Sequence, residues 1–224
     1  MGDPTIDGFL ASRSRVAGEP EAYYNLLKAE SLEVNARLGE ARLESKPFVS
    51  EVGILVEKES FVHWRAEAAF PEVNGVELDA KRSSLEVSPT NFVAVRQIED
   101  EKTKEKRNYL FVFTEDFSLV ARKVEDADGV RLELQVRAIT SEKLLEYEVR
   151  KDVMANGLLL DEHVQGEKDY KKAAKKVRKY RVASIRPVSN SSRTTQPSPV
   201  KYMDALEQRI KTELVEVNKE FAQN

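Results

Sequence analysis

Strict alternation of apolar and polar residues is the feature of this sequence that most restricts its fold. In VRLELQVRA, residues 130–138, apolar residues occupy every second position and charged or amide residues lie between them. SFVHWRAEAAF, residues 60–70, alternates in the same way around Trp64. Because successive side chains of a strand point to opposite faces, both segments predict strands of a sheet with one buried and one solvated face.

Other short segments extend this sheet. Asn74-Gly75 and Asp128-Gly129 are dipeptides that supply positive φ in tight hairpin turns. Connections this short join antiparallel neighbours, because a parallel pair would need a crossover of a dozen or more residues. The sequence therefore predicts an antiparallel meander of about seven or eight strands. The further predicted strands are 52–56, 85–87, 92–98, 108–113 and 119–124.

Two helices are predicted on either side of this meander. From Pro20 to Leu43 the apolar residues recur at spacings of three and four, which is typical of an amphipathic helix. After the last strand, Thr140 or Ser141 can cap a helix over 141–156, and Asn156-Gly157 can end it.

The C-terminal part of the chain contains a linker and a third helix. Residues 188–200 are mostly Ser, Thr and Pro, which favours a linker. Residues 201–224 then carry an apolar stripe with helical spacing, which predicts an amphipathic helix that docks on its own body or in a partner's groove. The expected partner-helix interface consists of Met203, Leu206, Ile210, Leu214, Val217 and Phe221.

These elements together predict an α+β fold. Its body is an antiparallel meander sheet, curled or barrel-like, with a packing helix and helical arms at both ends. The chain is divided into a flexible N-terminus at 1–18, an amphipathic helix at 19–45, a body at 46–187 that includes a basic helix at 168–180, a linker at 188–200 and an amphipathic helix at 201–224.

Charge is distributed very unevenly along the chain. The formal net charge is −3, but residues 168–186 contain nine Lys or Arg and one acid, a net charge of +8. Residues 187–224 are neutral, which leaves −11 for residues 1–167. An acidic body therefore carries one strongly basic segment.

The basic segment, YKKAAKKVRKYR at 170–181, is predicted to be helical. A helix places the alanines, Val177 and the tyrosines on a narrow inner stripe, whereas a strand would mix alanines and lysines on both faces. The cations then point outward as a candidate binding site for an anionic partner. The predicted binding residues are Lys171, Lys172, Lys175, Lys176, Arg178, Lys179 and Arg181.

Three interpretations of this basic helix compete. A merely solvated helix face usually interleaves charges of both signs, but acids are absent from Tyr170 to Arg186. Nucleic acid would be bound through its phosphates, with little sequence preference and a steep salt dependence. An acidic protein surface, including the acidic body of a second copy, is the third interpretation. The −11 body would repel a long duplex, which favours a local contact.

Composition argues against several classes of site. The chain has no cysteine, two histidines and nine scattered glycines, so we expect no disulfide, no metal site and no glycine-rich nucleotide loop. We predict no cofactor. Because no signal peptide and no apolar run of membrane-spanning length is present, we expect an intracellular protein, cytoplasmic or nuclear, without a membrane partner.

One short pattern keeps an enzymatic alternative open. GVELDAK, residues 75–81, resembles the second half of the PD-(D/E)xK nuclease motif, in which carboxylates hold Mg²⁺ and a lysine orients the attacking water. The resemblance would assign Asp79 and Lys81 to these roles, with Glu67 or Glu72 as the second acid.

The function expected from the sequence is that of a non-enzymatic interaction or assembly subunit. Its basic helix would contact an anionic partner, and its terminal helices would bind a protein partner or a second copy. A nucleic-acid-binding module that uses the basic helix is the first alternative. A Mg²⁺-dependent nuclease with a degenerate D-x-K site is the second.

Overall fold

The computed structural model describes residues 5–8, 12–15, 18–40, 47–79, 83–99, 104–126, 129–139, 158–160, 170–187, 198–201 and 203–221. Most of these residues lie in strands. The strands are β1 (Thr5–Gly8), β2 (Ser12–Arg15), β3 (Tyr23–Lys28), β4 (Leu32–Glu40), β5 (Pro47–Val56), β6 (Ser60–Arg65), β7 (Glu72–Val73), β8 (Val76–Glu77), β9 (Ser84–Ser88), β10 (Asn91–Glu99), β11 (Lys106–Phe113), β12 (Phe117–Asp126), β13 (Gly129–Ala138), β14 (Arg181–Val182) and β15 (Ser198–Pro199).

Helices contribute little to the described part of the chain. Helix α1 (Tyr170–Val177) continues into a 3-10 turn at Arg178–Tyr180, and helix α2 covers Met203–Phe221. A further 3-10 turn at Leu158–Leu160 packs beside β3. Of the segments described here, no helix is long and apolar enough to cross a membrane.

The strands form one curled, half-barrel sheet. Its order is β14-β3-β4-β5-β13-β12-β11-β10-β9-β15, and these neighbours are antiparallel. β5 also pairs with β6, which continues into β7 and β8. The one parallel pair found among the described strands joins β1 to β13. Asn74 and Gly75, with φ of 51° and 80°, turn β7 into β8 as their sequence predicts.

The inner face of the curled sheet holds the main hydrophobic core. Leu134, Val52 and Trp64 lie on this face, and each is at most 1% exposed. Their neighbours along each strand point to the opposite face, as the alternation predicts. A second, smaller core lies on the outer face, where Tyr109, Phe111 and Phe113 of β11 form a row of stacked rings.

The predicted α+β class with helical arms at both ends is wrong. Residues 19–45 are not an amphipathic helix, because the described part of this range contains the hairpin β3–β4. The described parts of 1–18 contain β1 and β2. The predicted packing helix at 141–156 lies outside the described residues. What remains of the prediction is the curled antiparallel sheet.

The β3–β4 hairpin has a physical cause that outweighs helix propensity. Leu32, Val34, Ala36 and Leu38 alternate strictly with polar residues, and all four are fully buried in the inner core. As a helix, this segment would expose part of that apolar set, whereas β4 buries all of it between β3 and β5.

Candidate anion-binding site

The basic segment is attached to the sheet by a short apolar stripe. Ala173 and Val177 of α1 are 5% and 0% exposed and belong to the inner core. They are four residues apart and therefore lie on one face of the helix. The cationic side chains lie on the remaining surface. Those described are Lys172, Lys175, Lys176, Arg178, Lys179 and Arg181, which we call the basic surface, and all six are exposed.

Contacts with the first residues of β3 and with Glu19 hold the C-terminal part of the basic surface in place. β14 pairs with β3 through Arg181–Tyr24 and Val182–Tyr23. Glu19 accepts hydrogen bonds from both arginines of the surface, at 2.7 Å from Arg178 Nη2 and 2.9 Å from Arg181 Nη1. The Glu19 backbone N–H in turn donates to the Tyr24 hydroxyl at 2.8 Å. These contacts orient the two arginines of the basic surface.

The chain then crosses the outer face of the sheet as a strap, residues 183–187. Asn35 Nδ2 donates to the Ser184 carbonyl at 3.3 Å. Ile185 lies against Gly53 of β5, where a Cβ atom would overlap the Ile185 carbonyl oxygen. The Arg186 guanidinium lies 5.1 Å from the centre of the Phe61 ring, and Pro187 is buried. The strap thus anchors the basic surface on its C-terminal side.

A charged pair lies on the same outer face as the strap. Glu51 of β5 and His63 of β6 are diagonal neighbours on paired strands, with Oε1 and Nε2 2.5 Å apart. The His63 hydrogen bond holds the pKa of Glu51 below its ordinary value, against the opposing effect of burial. Arg37, which is also paired with Glu21, and Arg65 add to this lowering. The arrangement joins β4, β5 and β6 electrostatically.

The apolar stripe of the C-terminal helix packs on the sheet of its own chain. Leu206 and Ile210 are 1% and 2% exposed and pack on the aromatic row of β11, with Leu214 half-buried beside them. Met203 is 44% exposed. The side chains of Val217 and Phe221 lie outside the described set. The structure thus brings together only some of the predicted partner-helix residues. Leu206 and Ile210, the most buried of them, already contact the sheet of their own chain.

Polar contacts that the sequence did not indicate hold α2 in place. The Arg209 guanidinium lies 4.5 Å from the centre of the Phe113 ring and donates to the carbonyls of Thr90 and Thr114 at 3.3 and 3.2 Å. Arg96 pairs with Glu207, and Arg137 pairs with Glu213. Each pair joins residues far apart in sequence, so no local pattern could have identified it.

The residues of the nuclease alternative do not form a described metal site. Asp79 and Glu67 are exposed and Glu72 is half-buried, whereas Lys81 lies outside the described residues. Within the ranges given above, no group of three or more Asp, Glu or His residues could hold a metal ion.

Comparison with known proteins does not add a family to this description. No protein-family model matches the chain, and no curated protein sequence matches it.

Proposed function

We propose that this protein is a non-enzymatic interaction subunit that docks through its basic surface on an anionic partner inside the cell, in the cytoplasm or nucleus. The observation that carries the proposal is a set of exposed cations on an element whose apolar residues are anchored in the core. A fixed cationic surface loses little conformational freedom on binding, because the backbone of the site is already ordered.

An acidic protein surface is favoured over nucleic acid as the partner. Single-stranded nucleic acid is usually bound by stacking bases on exposed aromatic rings beside a basic groove. The large hydrophobic side chains exposed in the described chain are Val76, Ile139, Met203 and Val215, none of which is aromatic. The described ring within this surface, Tyr180, is half-buried against Lys179. Such a surface is suited to carboxylates, for which lysine supplies a compact charge.

Binding of two polyanions at two salt concentrations tests the proposal. Fluorescent polyglutamate and a fluorescent DNA duplex are titrated at about 50 mM and about 300 mM salt, since screening weakens exposed ion pairs over this range. The variant Lys172→Glu/Lys175→Glu/Lys176→Glu should lose at least about tenfold in affinity, because each reversal replaces an attraction with a repulsion.

The matched control reverses exposed lysines elsewhere. Lys201→Glu/Lys211→Glu changes charges beside and on α2 and should bind as the unmodified protein does. Equal losses in both variants would mean that only net charge matters, and the basic surface would then not be the site. Tighter binding of the duplex than of polyglutamate at the same salt would instead make nucleic acid the partner.

The proposal does not depend on partner binding by helix α2. A partner that bound its apolar stripe would first have to separate Leu206 and Ile210 from β11, at a cost of roughly 1.5 to 3 kcal/mol for each side chain. We therefore assign partner docking to the basic surface first and keep the α2 interface as a separate prediction.

A further inference from the structure

Four connections of the sheet meet at one end of the molecule. The Glu57 backbone N–H donates to the Ser31 carbonyl at 3.0 Å, which joins the β5–β6 connection to the β3–β4 connection. The Ser31 hydroxyl lies 3.1 Å from Asp116 Oδ2 in the β11–β12 connection. Asn91, which follows the β9–β10 connection, donates to Glu57 Oε1 at 2.6 Å. We call this region the turn end.

The turn end is rich in carboxylates. Lys28 is paired with Glu33 at this end of β3 and β4, and Lys58 and the partly buried Arg209 are further described cations in this region. Acids therefore outnumber bases on this surface, the reverse of the basic surface. Its acidic residues are Glu30, Glu57, Glu59, Glu115 and Asp116, of which Glu30, Glu57 and Glu115 are exposed.

The two arginines of the basic surface and the turn end lie at opposite ends of β3. β14 pairs with Tyr23 and Tyr24 at the first residues of β3, and Glu19 binds the two arginines there. The turn end begins after Lys28, the last residue of this strand. A six-residue strand spans about 20 Å, so the regions of opposite charge are separated along the strand direction.

We propose that the anionic partner of the basic surface is the turn end of a second copy of this chain. Because the two regions differ and lie at opposite ends, the contact is head-to-tail and leaves one region of each copy free. Such contacts continue into a ring or an open chain of copies. This inference rests on the proposed docking function of the basic surface and names its partner.

Association of this kind depends on many weak ion pairs. A single exposed ion pair contributes little, so the contact is stable only when several pairs act together at low ionic strength. We therefore expect the average mass to rise with protein concentration at about 20 mM salt and to return to the monomer mass of 25.4 kDa at about 500 mM salt.

Two charge-reversed variants separate this proposal from non-specific association. The basic-surface variant is Lys172→Glu/Lys175→Glu/Lys176→Glu, and the turn-end variant is Glu30→Lys/Glu115→Lys. In either variant alone, both ends of the molecule have the same sign and should repel each other, so each should remain a monomer at low salt. Light scattering coupled to size exclusion measures the mass.

A mixture of the two variants gives the decisive result. The basic-surface variant is negative at both ends and the turn-end variant is positive at both ends, so every contact between the two variants is attractive, including the one between their unchanged regions. The mixture should therefore associate at low salt although neither variant does so alone, and it should return to monomers at high salt. Glu67→Lys/Glu77→Lys, which reverses exposed acids on β7–β8 and just after β6, is the matched control and should associate like the unmodified protein.

The outcomes distinguish this inference from the function on which it rests. A protein that binds polyglutamate through the basic surface but stays monomeric at low salt keeps the docking function and overturns self-association. Loss of both properties removes both proposals. Association that survives in either single variant, or a mixture that stays monomeric, also overturns the head-to-tail contact.

Discussion

Gly53 lies in the middle of β5, where the strap leaves no room for a side chain. A Cβ atom at this position would overlap the Ile185 carbonyl oxygen, which is backbone and cannot rotate away. We expect Gly53→Ala to displace the strap and lower the free energy of unfolding by about 1 to 3 kcal/mol. Urea denaturation measures the loss, and hydrogen exchange should increase at residues 183–187.

A companion variant identifies the cause of this loss. Ile185→Ala shortens the side chain but keeps the carbonyl, so the double variant Gly53→Ala/Ile185→Ala should not recover the stability that Gly53→Ala loses. Recovery in the double variant would show that the side chain, and not the backbone, limits the space above Gly53.

The Glu51–His63 pair predicts a pH-dependent contribution to stability. Because the pKa of Glu51 is lowered in the folded state, its contribution is present above the pKa of the unfolded chain. It is lost as the pH falls through the lower, folded-state value. We expect the stability difference between the unmodified protein and Glu51→Gln to narrow from about pH 6 to about pH 3.

Denaturation midpoints across this pH range measure the effect. Glu67→Gln, at an exposed position just after β6, is the control and should give a curve parallel to that of the unmodified protein. A constant difference between Glu51→Gln and the unmodified protein at all pH values would contradict the assignment of the contribution to this carboxylate.

At the scale of elements, Arg209 holds α2 on the sheet through specific contacts and not only through its charge. Burial lowers the pKa of the Arg209 guanidinium, with Glu213 opposing this effect. The group contacts Phe113 and donates to two carbonyls at strand ends. Arg209→Ala leaves those carbonyls without this donor, and we expect a loss of about 1 to 3 kcal/mol.

The control for this element is another cation on the same helix. Lys211 is exposed, so Lys211→Ala should change stability by less than about 0.5 kcal/mol. Hydrogen exchange of α2 and urea denaturation provide the two measurements. Equal effects of both variants would mean that Arg209 acts only through long-range charge.

The sequence predicts an element correctly where its apolar residues follow only the strand spacing or only the helix spacing. It does not where they fit both spacings. Alternation predicts the strands around residues 60–65 and 130–136, and spacings of three and four predict the helical stripe of α2. Residues 20–43 fit both periods. Ala29, Glu30 and Ser31 give no strong turn signal between β3 and β4, so only the pairing of these strands with β5 and β14 decides the outcome.

The sequence predicts the helical part of the basic surface but not the contacts that hold it on the sheet. Its outward cations and inward Ala173 and Val177 follow from helix geometry alone. The strap, Glu19 and the turn end were not predicted, because they depend on contacts between residues distant in sequence. The hydrogen bond from Asn35 to Ser184, for example, joins residues 149 positions apart.

Across the whole molecule, local and distant pairings should form at different stages of folding. β10, β11, β12 and β13 are consecutive antiparallel neighbours joined by short connections, so their contacts cost little loop entropy. β14 and the strap instead contact β3, β4 and β5, which are distant from them in sequence. We infer that the meander forms the folding nucleus and that the basic segment docks after the transition state.

Two buried apolar residues test this order. Leu119 of β12 and Val177 of α1 are both fully buried, so truncation to alanine should destabilise the protein measurably in each case. Leu119→Ala should slow folding, with a φ-value above about 0.5, whereas Val177→Ala should mainly accelerate unfolding, with a φ-value below about 0.3. Stopped-flow measurements in urea give both values. The opposite assignment would place the basic segment in the nucleus, and its position on β3 would then guide the formation of the sheet.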